Sequence, residues 1–173
     1  MQLCRYMNTL QTILVPVDGS PASLAALDDA VVLAQDYNAR IEVLHIIPPE
    51  DPLAPDVRDE TDRAMDAAIE RAKESLGEDR ITRTVKVGDP LLEIVKQARD
   101  RVDLIVMGTH GRIGRLHELL GSIAEGVIRN APCPVLTVRD QTGGYQSFAD
   151  RRHHRPSLSE QRTSAAHDQA RNR

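Results

Sequence analysis

The chain has 173 residues, of which 40% are hydrophobic and 28% charged, which is enough for one domain with a real core. A formal net charge of −4 and an aromatic content of 2% argue against a nucleic-acid partner, which needs a basic surface or stacking aromatic rings. The apolar runs are too short to span a bilayer, no signal peptide is recognisable, and the two cysteines have neither metal-like nor disulfide spacing. We therefore expect a cytoplasmic protein with no membrane or nucleic-acid partner.

The first part of the chain is predicted to form two strands joined by a helix. Thr12–Val17 and Arg40–Ile47 are apolar runs typical of buried strands. Ser20 as N-cap and Pro21 in the first turn predict the start of the helix, and Asn38 predicts its end.

The middle of the chain continues the alternation of strands and helices. Residues 48–60 are rich in Pro and Asp and predict a mobile connection, followed by a charged amphipathic helix from about Asp59 to Leu76. Ile81–Val87 alternates apolar and polar residues, which predicts a strand near a sheet edge. Asp89 and Pro90 then predict a second capped helix start.

The last part of the pattern adds a strand, a helix and a strand. Asp103–Met107 is the fourth predicted strand, Gly121 and Ser122 begin the next helix, and Pro134 introduces the last strand. The order of elements predicts an α/β fold with a parallel, doubly wound sheet and helices on both faces.

Both ends of the chain lack this periodicity. Residues 141–173 contain few apolar residues and predict a disordered tail, and residues 1–11 predict an N-terminal extension. The predicted domain is therefore 12–140.

Polar residues and glycines follow the strands at the edge where a doubly wound sheet binds ligands. Asp18 follows the first strand, and Gly108 and Gly111 follow the fourth, where the absence of a Cβ lets backbone approach a phosphate. Gly121 and Ser122 then open a helix whose free amides attract anions. No lysine follows these glycines and no G-x-G-x-x-G is present, so the sequence supports neither a P-loop hydrolase nor a conventional dinucleotide dehydrogenase.

Three residues in or near this edge could either contact a ligand or serve the fold alone. Asp18 either contacts a ligand or caps the first helix. His45 lies inside an apolar strand and is expected to be a satisfied core histidine. His110 lies in the glycine loop, where we expect it close to the ligand.

The spacing G-2x-G-9x-G-[ST], the opening ILVPVDGS and the closing GSIAEGVIRNAPCPVLTV together resemble the universal stress protein family. The resemblance covers Thr12 to Arg139 and implies a Rossmann-like five-stranded parallel sheet of order 3-2-1-4-5. The complete glycine motif is similar to that of the ATP-binding branch. The family's dimer contact implies a homodimer through the last strand, Pro134–Val138.

The resemblance also implies roles for individual residues in binding ATP. Asp18 would contact the ribose or a phosphate-bound Mg²⁺, and the backbone of Ile46 would meet the adenine edge. The other residues that the resemblance assigns to the nucleotide site are Pro16 and Val17 near the adenosine, Gly108, His110 and Gly111 along the phosphate and ribose path, and Gly121, Ser122 and Ile123 at the phosphates.

Three functions stay open at this stage. The first is an ATP-binding stress-response or signalling module, because no nucleophile with a base and an orienting group can be assembled for fast catalysis. The second is a nucleotide-free dimeric scaffold. The third is an enzyme, with slow ATP hydrolysis at most; the S-G-G-x-D-S and H-I-G-H signatures of related adenine-nucleotide enzymes are absent.

Overall fold

The computed structural model describes residues 10–49, 55–110 and 120–139, with the side chains of 55 and 56 left aside. The predicted N-terminal extension and C-terminal tail lie almost wholly outside these ranges. The elements of the described chain, in order, are β1 (Thr12–Val17), α1 (Pro21–Tyr37), β2 (Arg40–Ile47), α2 (Pro55–Leu76), a 3₁₀ turn (Glu78–Arg80), β3 (Ile81–Val87), α3 (Pro90–Ala98), β4 (Leu104–Gly108), α4 (Ser122–Asn130) and β5 (Val135–Val138).

The five strands form one parallel sheet of order β3-β2-β1-β4-β5. The chain runs outward from β1 to β3, then crosses back to β4 and continues to β5. The strand order therefore reverses between β1 and β4, whose carboxyl ends are neighbours. This confirms the predicted doubly wound fold, and β3 lies at a sheet edge as its alternating pattern indicated.

The two faces of the sheet have separate apolar cores because side chains alternate along each strand. Ile13, Val15 and Val17 of β1 pack in one core with α1 and α2. Leu14 faces the other core, with Ile94 of α3 and others from α4. No helix in the described part of the chain is long and apolar enough to cross a membrane.

The helix ends follow the sequence signals closely. The Ser20 hydroxyl accepts a hydrogen bond from the amide of Ser23 at 3.3 Å, and Asn38 ends α1 in the left-handed conformation with φ of 55°. Asp89 accepts from the amide of Leu92 at 2.9 Å and caps α3. The predicted caps of α1 and α3 are confirmed.

Two predicted boundaries were wrong. Helix α2 begins at Pro55, not near Asp59, so the connection expected over 48–60 is helical from Pro55 onward. Strand β4 is Leu104–Gly108, one residue later than predicted. Asp103 precedes it, and its Oδ2 accepts the backbone amides of Gln11 and Thr12 at 2.8 and 2.9 Å.

Candidate functional site

The loops after β1 and β4 meet at the carboxyl edge of the sheet. Strands β1 and β4 are paired along Ile13–Leu104 and Leu14–Ile105. The Ser20 hydroxyl, in the β1–α1 loop, lies 3.3 Å from the backbone oxygen of His110, in the loop after β4. The two loops are therefore in contact, as the sequence predicted.

Asp18 supports the cap of α1 but does not itself cap the helix. Its Oδ1 accepts the backbone amide of Ser20 at 3.0 Å and the Ser20 hydroxyl at 2.6 Å. The same hydroxyl then accepts from the amide of Ser23, so the cap is Ser20. Asp18 is half-buried, and its carboxylate stands at the positive end of the α1 dipole.

Ser23 closes a ring of hydrogen bonds in the same loop. Its hydroxyl donates to the backbone oxygen of Ser20 at 2.9 Å and accepts from the amide of Asp18 at 3.4 Å. Ser20 and Ser23 are both about 4% exposed. Sequence reasoning missed the role of Ser23; the spacing Asp18-x-Ser20-x-x-Ser23 was the signal that could have indicated it.

Gly108 is required by packing inside the protein. A Cβ at this position would lie 2.8 Å from the backbone carbon of Ala22 and 2.9 Å from the amide nitrogen of Ser23. The end of β4 therefore rests against the backbone of the first turn of α1. No side chain larger than hydrogen fits there unless the helix moves.

Gly121 joins the start of α4 to the loop after β4. Its amide donates to the backbone oxygen of Thr109 at 2.7 Å, and a Cβ would lie 3.1 Å from that oxygen. The amide of Thr109 in turn donates to Val138 at the end of β5, at 2.8 Å. The start of α4 is thus anchored to two strands through Thr109, another residue that the sequence patterns did not single out.

The first turn of α4 differs from those of α1 and α3. Gly121 is the N-cap residue of α4 and has no side chain. Within the described residues, its position therefore provides no side-chain oxygen that accepts a hydrogen bond from the first amides of α4. Ser122 and Ile123 are exposed. The first amides of a helix attract anions when no side-chain oxygen satisfies them.

His45 and Ile46 lie where β2 extends past the end of β1. The Nδ1 atom of His45 is 2.8 Å from the backbone oxygen of Val17, and the ring is 4% exposed, which confirms a satisfied core histidine. The register pairs of β1 and β2 end at Val17 and His45, so Ile46 is one residue beyond the last pair. The Ile47 oxygen accepts from Gly88 of the β3 side. Successive carbonyls of a strand point to opposite sides, so that of Ile46 faces the β1 side.

The other residues that the family resemblance assigns to the nucleotide site are partly buried or lie outside the described residues. Pro16 is partly buried in β1. His110 is half-buried, with its Nδ1 at 3.0 Å from the Thr109 hydroxyl. Gly111 lies outside the described residues. Within the described ranges, no group of three or more His, Cys, Asp or Glu side chains could hold a metal ion by itself.

Fold and site together define a doubly wound α/β protein with two joined loops at its switch point. The family model described as "Universal stress protein family" matches residues 9–139. The chain belongs to this family.

The relatives agree with that assignment. The universal stress protein MJ0531 of Methanocaldococcus jannaschii is 33% identical over 76% of this chain and 84% of its own length. Among solved structures, the hypothetical protein MJ0577 is 32% identical with a TM-score of 0.61, over 76% of this chain and 96% of its own. A universal stress protein crystallised in complex with cAMP is 32% identical with a TM-score of 0.59, over 76% of this chain and 99% of its own.

Proposed function

We propose that this protein binds ATP, with Mg²⁺, across the carboxyl ends of β1 and β4 and acts as a nucleotide-dependent stress-response or signalling module. The observation that carries the proposal is the junction of the Asp18 loop with the loop after β4, beside the first turn of α4. Ligands of open α/β sheets bind at this kind of switch point. The structural neighbour in complex with cAMP supports an adenine nucleotide as the ligand.

The adenosine half would lie over the ends of β1 and β2. The Ile46 carbonyl, one residue past the last β1–β2 pair, is an acceptor suited to the exocyclic amine of adenine. Pro16, which is partly buried, supplies apolar surface near it, whereas the Val17 side chain is only 3% exposed and packs in the core with α1 and α2. Asp18 would meet the ribose hydroxyls, for which a carboxylate is a good acceptor.

The phosphates would lie at the first turn of α4. Ser122 and Ile123 offer backbone amides there, and the Ser122 hydroxyl adds a further donor. The Gly121 amide already donates to the Thr109 backbone oxygen, so Gly121 would serve the site by letting the phosphates approach the backbone. The first turn of α1 is a poorer anion site, because Ser20 already caps it and the Asp18 carboxylate stands beside it. This difference between α1 and α4 favours phosphates at α4. His110 and Gly111 are proposed to complete this path.

Mg²⁺ fits this site only together with the phosphates. Protein sites for Mg²⁺ in nucleotide complexes commonly use one or two carboxylates plus phosphate oxygens and water. Asp18 offers a carboxylate at this edge, and its Oδ1 already accepts two hydrogen bonds from Ser20. The metal would therefore arrive with the nucleotide.

A nucleotide-free dimeric scaffold is the second candidate. The packing of Gly108 and Gly121 favours it, because a Cβ at either position would crowd backbone atoms of the protein itself. Both glycines can thus be explained without a ligand. In either case we propose a homodimer through the outer edge of β5, at Pro134–Val138, which pairs with no further strand among the described residues, since edge strands pair readily.

The test uses a charge at the first turn of α4. Ser122→Asp places a carboxylate where the phosphates would lie. At a helix N-terminus this charge stabilises the free protein by about 0.3–1 kcal/mol, so loss of binding cannot be ascribed to unfolding. We expect Mg-ATP to raise the Tm of the wild-type protein by mass action and to leave that of Ser122→Asp unchanged.

Leu92→Asp is the matched control. Leu92 is 67% exposed in the first turn of α3, so this variant adds the same charge to another helix start. It is expected to keep the wild-type rise in Tm. A nucleotide-free scaffold predicts no rise in any of the three proteins, and an equal rise in all three would reject the placement of phosphates at α4.

A further inference from the structure

One hydroxyl contacts both loops of the proposed site. The Ser20 Oγ atom donates toward Asp18 Oδ1 at 2.6 Å and lies 3.3 Å from the His110 backbone oxygen. Asp18 follows β1 and His110 follows β4, so these two acceptor oxygens lie on either side of the switch point. His110 is 90 positions from Ser20 along the chain. Such a contact is not needed to cap a helix, for which the bond from the Ser23 amide suffices.

The same hydroxyl also sets the orientation of the Asp18 carboxylate. Oδ1 is held by two donors of Ser20, its amide at 3.0 Å and its hydroxyl at 2.6 Å. Two donors on one carboxylate oxygen restrict the orientation of the carboxylate more than the amide alone does. Ser20 is 4% exposed, so water does not readily replace the hydroxyl when it is removed.

We infer that Ser20 is a positioning residue of the nucleotide site: its hydroxyl orients Asp18 beside the His110 peptide, whose oxygen is a second, longer acceptor of the same proton, so that Mg-ATP affinity depends on this hydroxyl. The inference rests on the proposed function and adds to it a residue that contacts no ligand. It predicts that Ser20 acts on binding through Asp18. A purely structural cap would act on stability alone.

The test compares the loss of two helix caps. Ser20→Ala removes the cap of α1, and Asp89→Ala removes the cap of α3, so both lower the Tm by loss of the same kind of bond. We expect Ser20→Ala to weaken Mg-ATP binding by about tenfold, as loss of a charge-assisted hydrogen bond does. Asp89→Ala is expected to stay within about twofold of wild type, since α3 carries no group of the proposed site. Equal affinities for the two variants would overturn the inference.

A double-mutant cycle shows whether Ser20 acts through Asp18. Asp18→Asn is expected to weaken Mg-ATP binding, and the double variant Asp18→Asn/Ser20→Ala is expected to bind no more weakly than the weaker single variant. Losses that multiply would mean that Ser20 and Asp18 act independently, which contradicts the inference. Ser20→Thr, which keeps a hydroxyl and a cap, is expected to bind more tightly than Ser20→Ala.

Amide hydrogen exchange tests the link between the loops without nucleotide. The Thr109 and Gly121 amides donate to Val138 and Thr109, on either side of His110 along the loop. We expect both to exchange several-fold faster in Ser20→Ala than in Asp89→Ala. Unchanged exchange refutes the link itself, whereas absence of Mg-ATP binding by the wild-type protein refutes the proposed function, so the two failures are distinguishable.

Discussion

Replacing Gly108 with alanine is expected to destabilise the protein although it adds only a methyl group. The new Cβ would lie 2.8 Å from the backbone carbon of Ala22 and 2.9 Å from the amide nitrogen of Ser23. Optimal separations between nonbonded carbon atoms are about 3.5–4.0 Å, so α1 would have to move away from β4. The end of β4 and the Ser20 cap would then shift relative to each other.

The magnitude follows from two opposing terms. Overpacking of a close-packed site costs about 1–3 kcal/mol. Replacing glycine with alanine also restricts the unfolded chain, which offsets about 0.4–1 kcal/mol of that cost. We expect the free energy of unfolding to fall by about 1–2 kcal/mol, from these two terms.

Urea denaturation of Gly108→Ala measures this loss, with Gly88→Ala as the matched control. A Cβ at Gly88 would meet the Glu93 Cγ atom at 3.2 Å, the flexible part of a side chain that can turn away. Gly88→Ala is therefore expected to keep the wild-type stability or to exceed it slightly. If Gly108→Ala proves as stable as Gly88→Ala, the close contact between β4 and α1 is not what requires glycine at position 108.

Two polar contacts join neighbouring segments of the fold, one at the end of α1 and one between the starts of β1 and β4. The guanidinium of Arg80 donates to the backbone oxygens of Ala34 and Ala39 at the carboxyl end of α1, so Arg80→Ala is expected to lower the free energy of unfolding by about 1–3 kcal/mol. Arg83→Ala, which removes only an exposed pair with Asp66, should lower it by less than about 1 kcal/mol, and equal losses in urea denaturation would contradict this account. Asp103→Ala leaves the amides of Gln11 and Thr12 without their carboxylate, and is expected to cost about 1–3 kcal/mol in the same assay; a wild-type midpoint would contradict it.

Much of the fold was predictable because its signals are local. The Ser20 and Asp89 caps, the Asn38 stop and the bounds of β1, β2 and β3 agree with the structure, since each depends on a few adjacent residues. The start of α2 was misplaced because the prolines around Pro55 indicate a loop as readily as a first helical turn. In the folded chain α2 also packs against a distant segment, because Gly19 of the β1–α1 loop lies against Thr61 with no room for a Cβ, and such a contact leaves no local signal in the sequence.

The site was predictable in outline and not in its internal contacts. Asp18, Gly108 and Gly121 could be placed at one edge from strand order alone. The sequence could not indicate that Ala22 lies against Gly108 or that Thr109 lies against Gly121, because those contacts depend on how the helices pack. The bond between Ser20 and His110 joins residues far apart in the chain, so no local pattern carries it.

Binding of Mg-ATP with its phosphates at the first turn of α4 can be measured by calorimetric titration of Mg-ATP into the wild-type protein and Ser122→Asp. We expect saturable binding to the wild-type protein, with one nucleotide for each chain, and binding to Ser122→Asp that is weaker by at least about tenfold. Absence of measurable binding to the wild-type protein at millimolar Mg-ATP, or equal affinity for the two proteins, would contradict it.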